Sequence, residues 1–176
     1  TGGDLMQDIL TCAMGLDVHR DIIVACLVKG AVDAEPEAET RTFSTLIPEM
    51  QKLRDWVIES ECRNIAMEST GIYWQPIYEM LESCFDGEIS ILVVNARHMK
   101  NVPGRKTDMK DAQWIATLLR AGLLKGSFIP DKAFRELRHL TRYRKSVVHD
   151  ITAQKNRIDK FLQSSGFFGT NITLLH

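Results

Sequence analysis

The feature that most constrains this chain is the order of its apolar runs. Ile9–Val18 and Ile22–Val28 are two solid, partly β-branched stretches separated only by the polar triplet His19-Arg20-Asp21. A gap of three residues is hairpin-sized, so the two runs form antiparallel neighbours. Residues 33–39 are acidic and contain Pro36, which suits an exposed loop, and Thr40–Thr45 alternates as a third, edge strand. The period then changes. Leu46, Met50, Leu53 and Val57 mark one helix face, with Pro48 in the first turn, where its missing N–H costs nothing. Asn64–Glu68 is a short strand. Tyr73, Ile77, Met80, Leu81 and Cys84 form a helical stripe, and Ile89–Val94 is another buried strand ended by Asn95. Hairpin-joined strands followed by strand–helix alternation predict an α/β domain, with a mixed sheet and helices on its faces.

Residues 95–106 are basic and irregular, with Pro103-Gly104 in the middle. Thr107 is a suitable N-cap for a helix whose first turn holds Asp108 and Asp111 and whose stripe is Trp114, Ile115, Leu118 and Leu119, up to Gly122. After Pro130, residues 131–165 read as one long helix ending at Gly166. Leu137, Leu140, Val148, Ile151, Ile158 and Leu162 repeat about every 3.5 residues, as in a coiled coil. Residues 1–8 read as a flexible leader, with Thr1-Gly2-Gly3 as a cloning remnant and Met6 or Met14 as a natural start.

The chain has 176 residues and a net charge of −1, but the balance is uneven. Residues 1–96 carry 6 basic and 17 acidic side chains, whereas residues 97–176 carry 16 basic and 6 acidic. A basic half points to a polyanion such as DNA, or to an acidic partner face. Arg97, Lys100, Arg105, Lys106 and Lys110 surround the Asp108/Asp111 pair. Arg138, Arg142 and Lys145 make a stripe on the long helix, and Lys155 and Arg157 follow. Repeated Lys and Arg on one surface suit a phosphate backbone, and the same pattern also makes a solvated coiled-coil face. No apolar run reaches the length of a membrane span, and the leader lacks a signal-peptide pattern, so a cytoplasmic protein without membrane association is expected. The four cysteines show no zinc spacing and read as free thiols.

Four carboxylates stand out. Asp17 and Glu68 lie at the ends of two apolar strands, where an acid is costly unless paired, hydrogen-bonded or bound to a cation. Strands that end at one sheet edge bring their last residues into one crevice. Asp108 and Asp111, at i and i+3 on a helix, share a face. Several carboxylates in one place suit Mg²⁺ or Mn²⁺, hard cations that take oxygen ligands and serve phosphoryl transfer. Each residue also has a plainer use: Asp17 capping the hairpin, Glu68 bonding backbone near Gly71, and Asp108 and Asp111 favouring the helix dipole. His19, beside Asp17, is a candidate to assist proton transfer. Tyr73 and Trp74 are candidates to stack on a base, although Tyr73 reads as core. Ser69-Thr70-Gly71 reads as a helix start rather than a nucleophile.

With these residues assembled, the sequence resembles the insertion-sequence-110 family of DEDD transposases, to which the Piv-type DNA invertases are related. The matching stretches are Gly15-Leu16-Asp17-Val18-His19, Ala66 through Trp74, Val93-Val94-Asn95 and Lys106-Thr107-Asp108-Met109-Lys110-Asp111-Ala112, followed by the helix from Phe134 to Arg157. The resemblance spans about Met14 to Gly166. It implies an RNase H-like, RuvC-like fold over residues 9–126 and a coiled-coil segment used in assembly, as a homo-oligomer, over residues 130–166. Asp17, Glu68, Asp108 and Asp111 would be an acidic tetrad binding Mg²⁺ or Mn²⁺, catalytic in DNA strand cleavage and transfer. It also implies a guide RNA as partner and a following domain that supplies a serine nucleophile, of which residues 167–176 would be the start. Two other readings remain: a stand-alone nuclease of the Holliday-junction resolvase type, and a non-catalytic module for nucleic-acid binding and dimerisation.

Overall fold

The computed structural model describes residues 9–68, 71–95, 99 and 109–166. The chain divides into two units, Thr1–Phe128 and Ile129–His176. In the first unit the element order is β1 (Cys12–Val18), β2 (Ile22–Lys29), β3 (Glu37–Ser44), α1 (Ile47–Ser60), β4 (Asn64–Glu68), α2 (Trp74–Phe85), β5 (Ser90–Val94) and α3 (Asp111–Arg120). The strands form one sheet in the order β3-β2-β1-β4-β5. β2 runs antiparallel to both β1 and β3, whereas β1, β4 and β5 are parallel. The expected mixed sheet is therefore present, and its order and directions are those of an RNase H-like fold.

Residues facing each other across a ladder share a face of the sheet. On one face, Ala13, Ala66 and Val94 pack against Trp114, Ile115, Leu118 and Leu119 of α3. Cys26 and Val28 of β2 meet Ala112 and Ala116 of the same helix. The opposite face carries Met14, Leu16, Ile23, Ile65 and Met67, all fully buried. Phe43, paired with Ile23 in register, touches Trp56 of α1 with ring centroids 6.1 Å apart, so α1 covers that second face. Sheet and helices thus form three layers, with α3 packed on β1.

How closely α3 lies on β1 follows from one residue. A Cβ placed on Gly15 would sit 2.1 Å from the Ala112 carbonyl oxygen and 2.5 Å from the Ala116 amide nitrogen. Only a glycine lets helix backbone rest on strand backbone here. Arg120, at the other end of α3, fixes the helix lengthwise. Its buried guanidinium donates from Nε to the Leu10 carbonyl at 2.9 Å and from Nη2 to the carbonyls of Gly30 at 3.1 Å and Ala31 at 2.5 Å. The carbonyl of Arg120 in turn accepts from the amides of Ile9 and Leu10. Those two amides are therefore engaged by the helix end, and β1 begins at Cys12 rather than at Ile9 as expected.

Other boundaries differ from the sequence expectation for similar reasons. β3 extends into the acidic segment, from Glu37, because it pairs with β2 along its whole length while its side chains stay in water at the sheet edge. In the α2 stripe Ile77 and Leu81 are buried, but Tyr73 is 40% exposed and Cys84 also lies at the surface, so neither is core. The helix expected from Thr107 starts at Asp111, since Lys110 is extended with ψ of 151°.

The second unit contains α4 (Lys132–Ser164), a 33-residue helix. Asp131 caps it by accepting from the Phe134 amide at 2.9 Å. Leu137, Leu140, Val148, Ile151 and Ile158 are all about half exposed or more. No helix among the described residues is long and apolar enough to cross a membrane.

The Gly15 contact yields a sharp expectation. Gly15→Ala lowers the thermal unfolding midpoint, with a cost of about 1–3 kcal/mol or more, as for an overpacked core. Adding Ala116→Gly does not rescue it, because the obstructing atoms are backbone. Circular dichroism melts check this, and an unchanged midpoint would contradict the packing described.

Candidate active site

Parallel pairing aligns β1 and β4 as Met14 with Ile65, Gly15 with Ala66 and Leu16 with Met67. One step further along the register, Asp17 stands beside Glu68. Adjacent strands lie about 4.8 Å apart, so these carboxylates are neighbours at the C-terminal edge of the sheet. Alternation places Asp17 on the face that carries Ala13 and Gly15, the face covered by α3. The helix runs antiparallel to β1: its Arg120 end grips Leu10, and its first residue, Asp111, lies toward the Asp17 end. Three elements therefore bring Asp17, Glu68 and Asp111 to the same end of the sheet. The N-terminal end of α3, with its partial positive charge, favours this gathering of acids.

The electrostatics agree with the geometry. The Asp17 side chain keeps only 15% of its accessible surface, and burial is the main cause that pushes its carboxyl above the usual range. His19 opposes the shift, with Nε2 3.1 Å from Asp17 Oδ2, while the charges of Asp111 and then Glu68 add to it. Asp17 thus feels both other carboxylates. Oxygen donors that repel one another and are partly desolvated are the donor set a hard divalent cation suits. Among the described residues, however, no three His, Cys, Asp or Glu groups form a ready-made cation cluster.

The remaining candidates separate as follows. Asp108 lies outside the described residues, as do Arg97, Lys100, Arg105 and Lys106. The expected i, i+3 relation of Asp108 to Asp111 falls outside the described residues with it; Asp111 is the first residue of α3, and Lys110 before it is extended. Lys110 is exposed at the α3 N-cap, next to Asp111. Arg138, Arg142, Lys145, Lys155 and Arg157 are exposed on α4 in the second unit. Sequence reasoning missed Arg120 and the part played by Gly15. Both had signals: Arg120 continues the Ala112, Ala116 spacing toward the sheet, and a glycine inside an apolar strand marks close backbone approach.

The family model of the insertion-sequence-110 DEDD transposases, described as transposase, matches residues 14–166. The chain belongs to this transposase family. A transposase is an enzyme that acts on DNA, and the family match agrees with the resemblance seen in the sequence. No curated protein matches the chain significantly. Among solved structures, Thermus thermophilus RuvC is similar at 12% identity and a TM-score of 0.46, over 66% of this chain and 99% of that one. The same protein in complex with a Holliday junction substrate aligns at 11% identity and 0.46, over 67% and 100%. The fowlpox virus resolvase bound to substrate Holliday junction DNA aligns at 7% identity and 0.44, over 62% and 96%.

In this transposase the raised Asp17 carboxyl has a consequence for stability. A carboxyl raised in the fold favours the protonated form, so its contribution is present at low pH and is lost as pH rises through the folded value. At neutral pH the ionised Asp17 therefore destabilises the fold. Asp17→Asn should raise the unfolding midpoint at pH 7, by about 2–4 °C for each kcal/mol relieved. The gain should fade below the ordinary carboxyl value of 3.8, where Asp17 is protonated in both states. Midpoints measured across pH without added metal check this, and a less stable Asn variant at pH 7 would contradict it.

Proposed function

We propose that this chain is the catalytic domain of a DNA recombinase, a transposase that cleaves and transfers DNA strands with a carboxylate-bound divalent cation. Asp17, Glu68, Asp108 and Asp111 are assigned as the catalytic, metal-holding tetrad, with Mg²⁺ or Mn²⁺ as the ion. The observation that carries this reading is that Asp17 of β1 feels the charges of both Asp111 of α3 and Glu68 of β4. Stability alone gives no reason to gather like charges at a half-buried sheet edge.

When bound, the cation supplies Lewis acidity, lowering the pKa of an attacking hydroxyl and neutralising charge on the scissile phosphate. The protein's own residues do the rest. Asp17 and Glu68 sit on strand ends and Asp111 on a clamped helix, so their carboxylates are held with little reorganisation. His19 fixes Asp17 through the 3.1 Å contact. Lys110 stands beside Asp111 to meet a DNA phosphate. Arg97, Lys100, Arg105 and Lys106 are assigned to the same backbone track, and Arg138, Arg142, Lys145, Lys155 and Arg157 to a second one on α4. A guide RNA is the other polyanion that these residues suit. The half-exposed apolar stripe of α4 supports homo-oligomerisation through residues 131–165.

The test is strand cleavage and transfer by the full-length protein in Mg²⁺. Asp111→Asn should lower the rate by about 10²-fold or more, since a metal-held transition state is worth several kcal/mol. Its circular dichroism spectrum should be unchanged, because Asp111 is exposed. Full activity in this variant would remove the tetrad assignment. Cleavage of branched DNA without any strand transfer would favour a stand-alone nuclease instead.

A further inference from the structure

A second feature lies at the same end of the sheet, on the opposite face. A cavity of about 270 Å³ opens there, lined by Arg20, Thr45, Met50, Tyr73, Pro76 and Ile77. Arg20 belongs to the turn that follows β1, and Tyr73 to the segment that follows β4. The strands that carry Asp17 and Glu68 near their ends therefore also lead into this cavity. Arg20 lies three positions after Asp17, so their Cα atoms lie within about 11 Å.

The lining combines three kinds of group. Met50, Pro76 and Ile77 make an apolar floor. Tyr73 is 40% exposed, an aromatic wall presented to solvent, and the adjoining Ile72 is 68% exposed. Gly71, with φ of +60°, turns the chain there, and a Cβ on it would lie 3.4 Å from the Tyr73 ring. Arg20 supplies a cation at the rim, its side chain 79% exposed and 3.8 Å from Asp21. Thr45 steadies that rim, since its hydroxyl donates to the Arg20 carbonyl at 3.0 Å. An aromatic face, an apolar floor and an adjacent guanidinium form the combination that holds a single unpaired base and its phosphate. The volume is below the range of about 300–1,000 Å³ typical of drug-sized ligands and suits one ring system.

We propose that this cavity receives one unpaired DNA base next to the scissile phosphate, stacked on Tyr73 with its phosphate at Arg20. The inference rests on the DNA-cleaving reading above and adds a positioning device to it. Holding the neighbouring base over the sheet edge fixes which phosphate meets the carboxylates on the other face.

The test uses DNA oligonucleotides carrying 5-iodouracil at one unpaired position, which crosslink under light to an aromatic side chain in contact. Binding is followed in parallel by fluorescence anisotropy, in EDTA. The unmutated protein should crosslink through Tyr73, located by peptide mass spectrometry. Tyr73→Phe should keep the crosslink. Tyr73→Leu should lose it and bind unpaired DNA roughly tenfold more weakly, while duplex binding stays unchanged. Arg20→Ala should weaken binding and flatten its salt dependence. A crosslink that maps elsewhere, or one that survives in Tyr73→Leu, would overturn the inference while leaving the recombinase reading in place. A crosslink formed by the RNA counterpart and not by DNA would overturn the choice of occupant. Absence of any DNA binding by the unmutated protein would remove both readings together.

Discussion

The site depends on the direct seating of a helix on a strand. At Gly15 the backbone of α3 meets the backbone of β1 with no side chain between them, at a spacing that any Cβ would obstruct. Arg120 then holds the far end of the helix by donating to three backbone carbonyls, from Leu10 just before β1 and from Gly30 and Ala31 just after β2. A helix rises about 1.5 Å per residue, so fixing its C-terminal end also fixes where its first residue lies. Asp111 is that residue. The buried guanidinium and the missing side chain together determine where a third carboxylate arrives, and neither touches the chemistry.

The carboxylates themselves work against the fold. Asp17 is desolvated and feels the charges of Asp111 and Glu68, and His19 offsets only part of that cost. The apolar layers on both sides of the sheet supply the stability that makes such an arrangement tolerable. Fully buried Met14, Leu16, Ile23, Ile65 and Met67 on one face, and the packing of α3 on the other, hold the strand ends rigid. Local strain of this kind is expected where a protein must accept a cation and a polyanion, because both relieve the repulsion on arrival.

Much of this was legible in the sequence. The hairpin before the strand–helix alternation gave the mixed sheet, because a three-residue gap permits only antiparallel neighbours. Asp17 and Glu68 stood out because acids at the ends of apolar strands need a reason. The boundaries that failed did so through tertiary contacts that a local pattern does not contain. Ile9 and Leu10 look like strand but give their amides to Arg120. Glu37 and Glu39 look like loop but pair with β2 at an edge where charge is harmless. A helix start at Thr107 gives way to one at Asp111, because sequence patterns place helix starts only loosely. Tyr73 fell on an apolar stripe yet lies at the surface, at the N-cap of α2 rather than inside it.

The central claim is that carboxylates from separate elements form one cation site. Isothermal titration calorimetry with Mn²⁺, on the unmutated chain and on Asp17→Asn and Asp111→Asn, with and without DNA, tests it most directly. The account predicts binding by the unmutated protein in at least the DNA-bound state, lost or strongly weakened in both variants, so that β1 and α3 report the same site. Mn²⁺ binding that is absent in both states, or that survives unchanged in either variant, would contradict it.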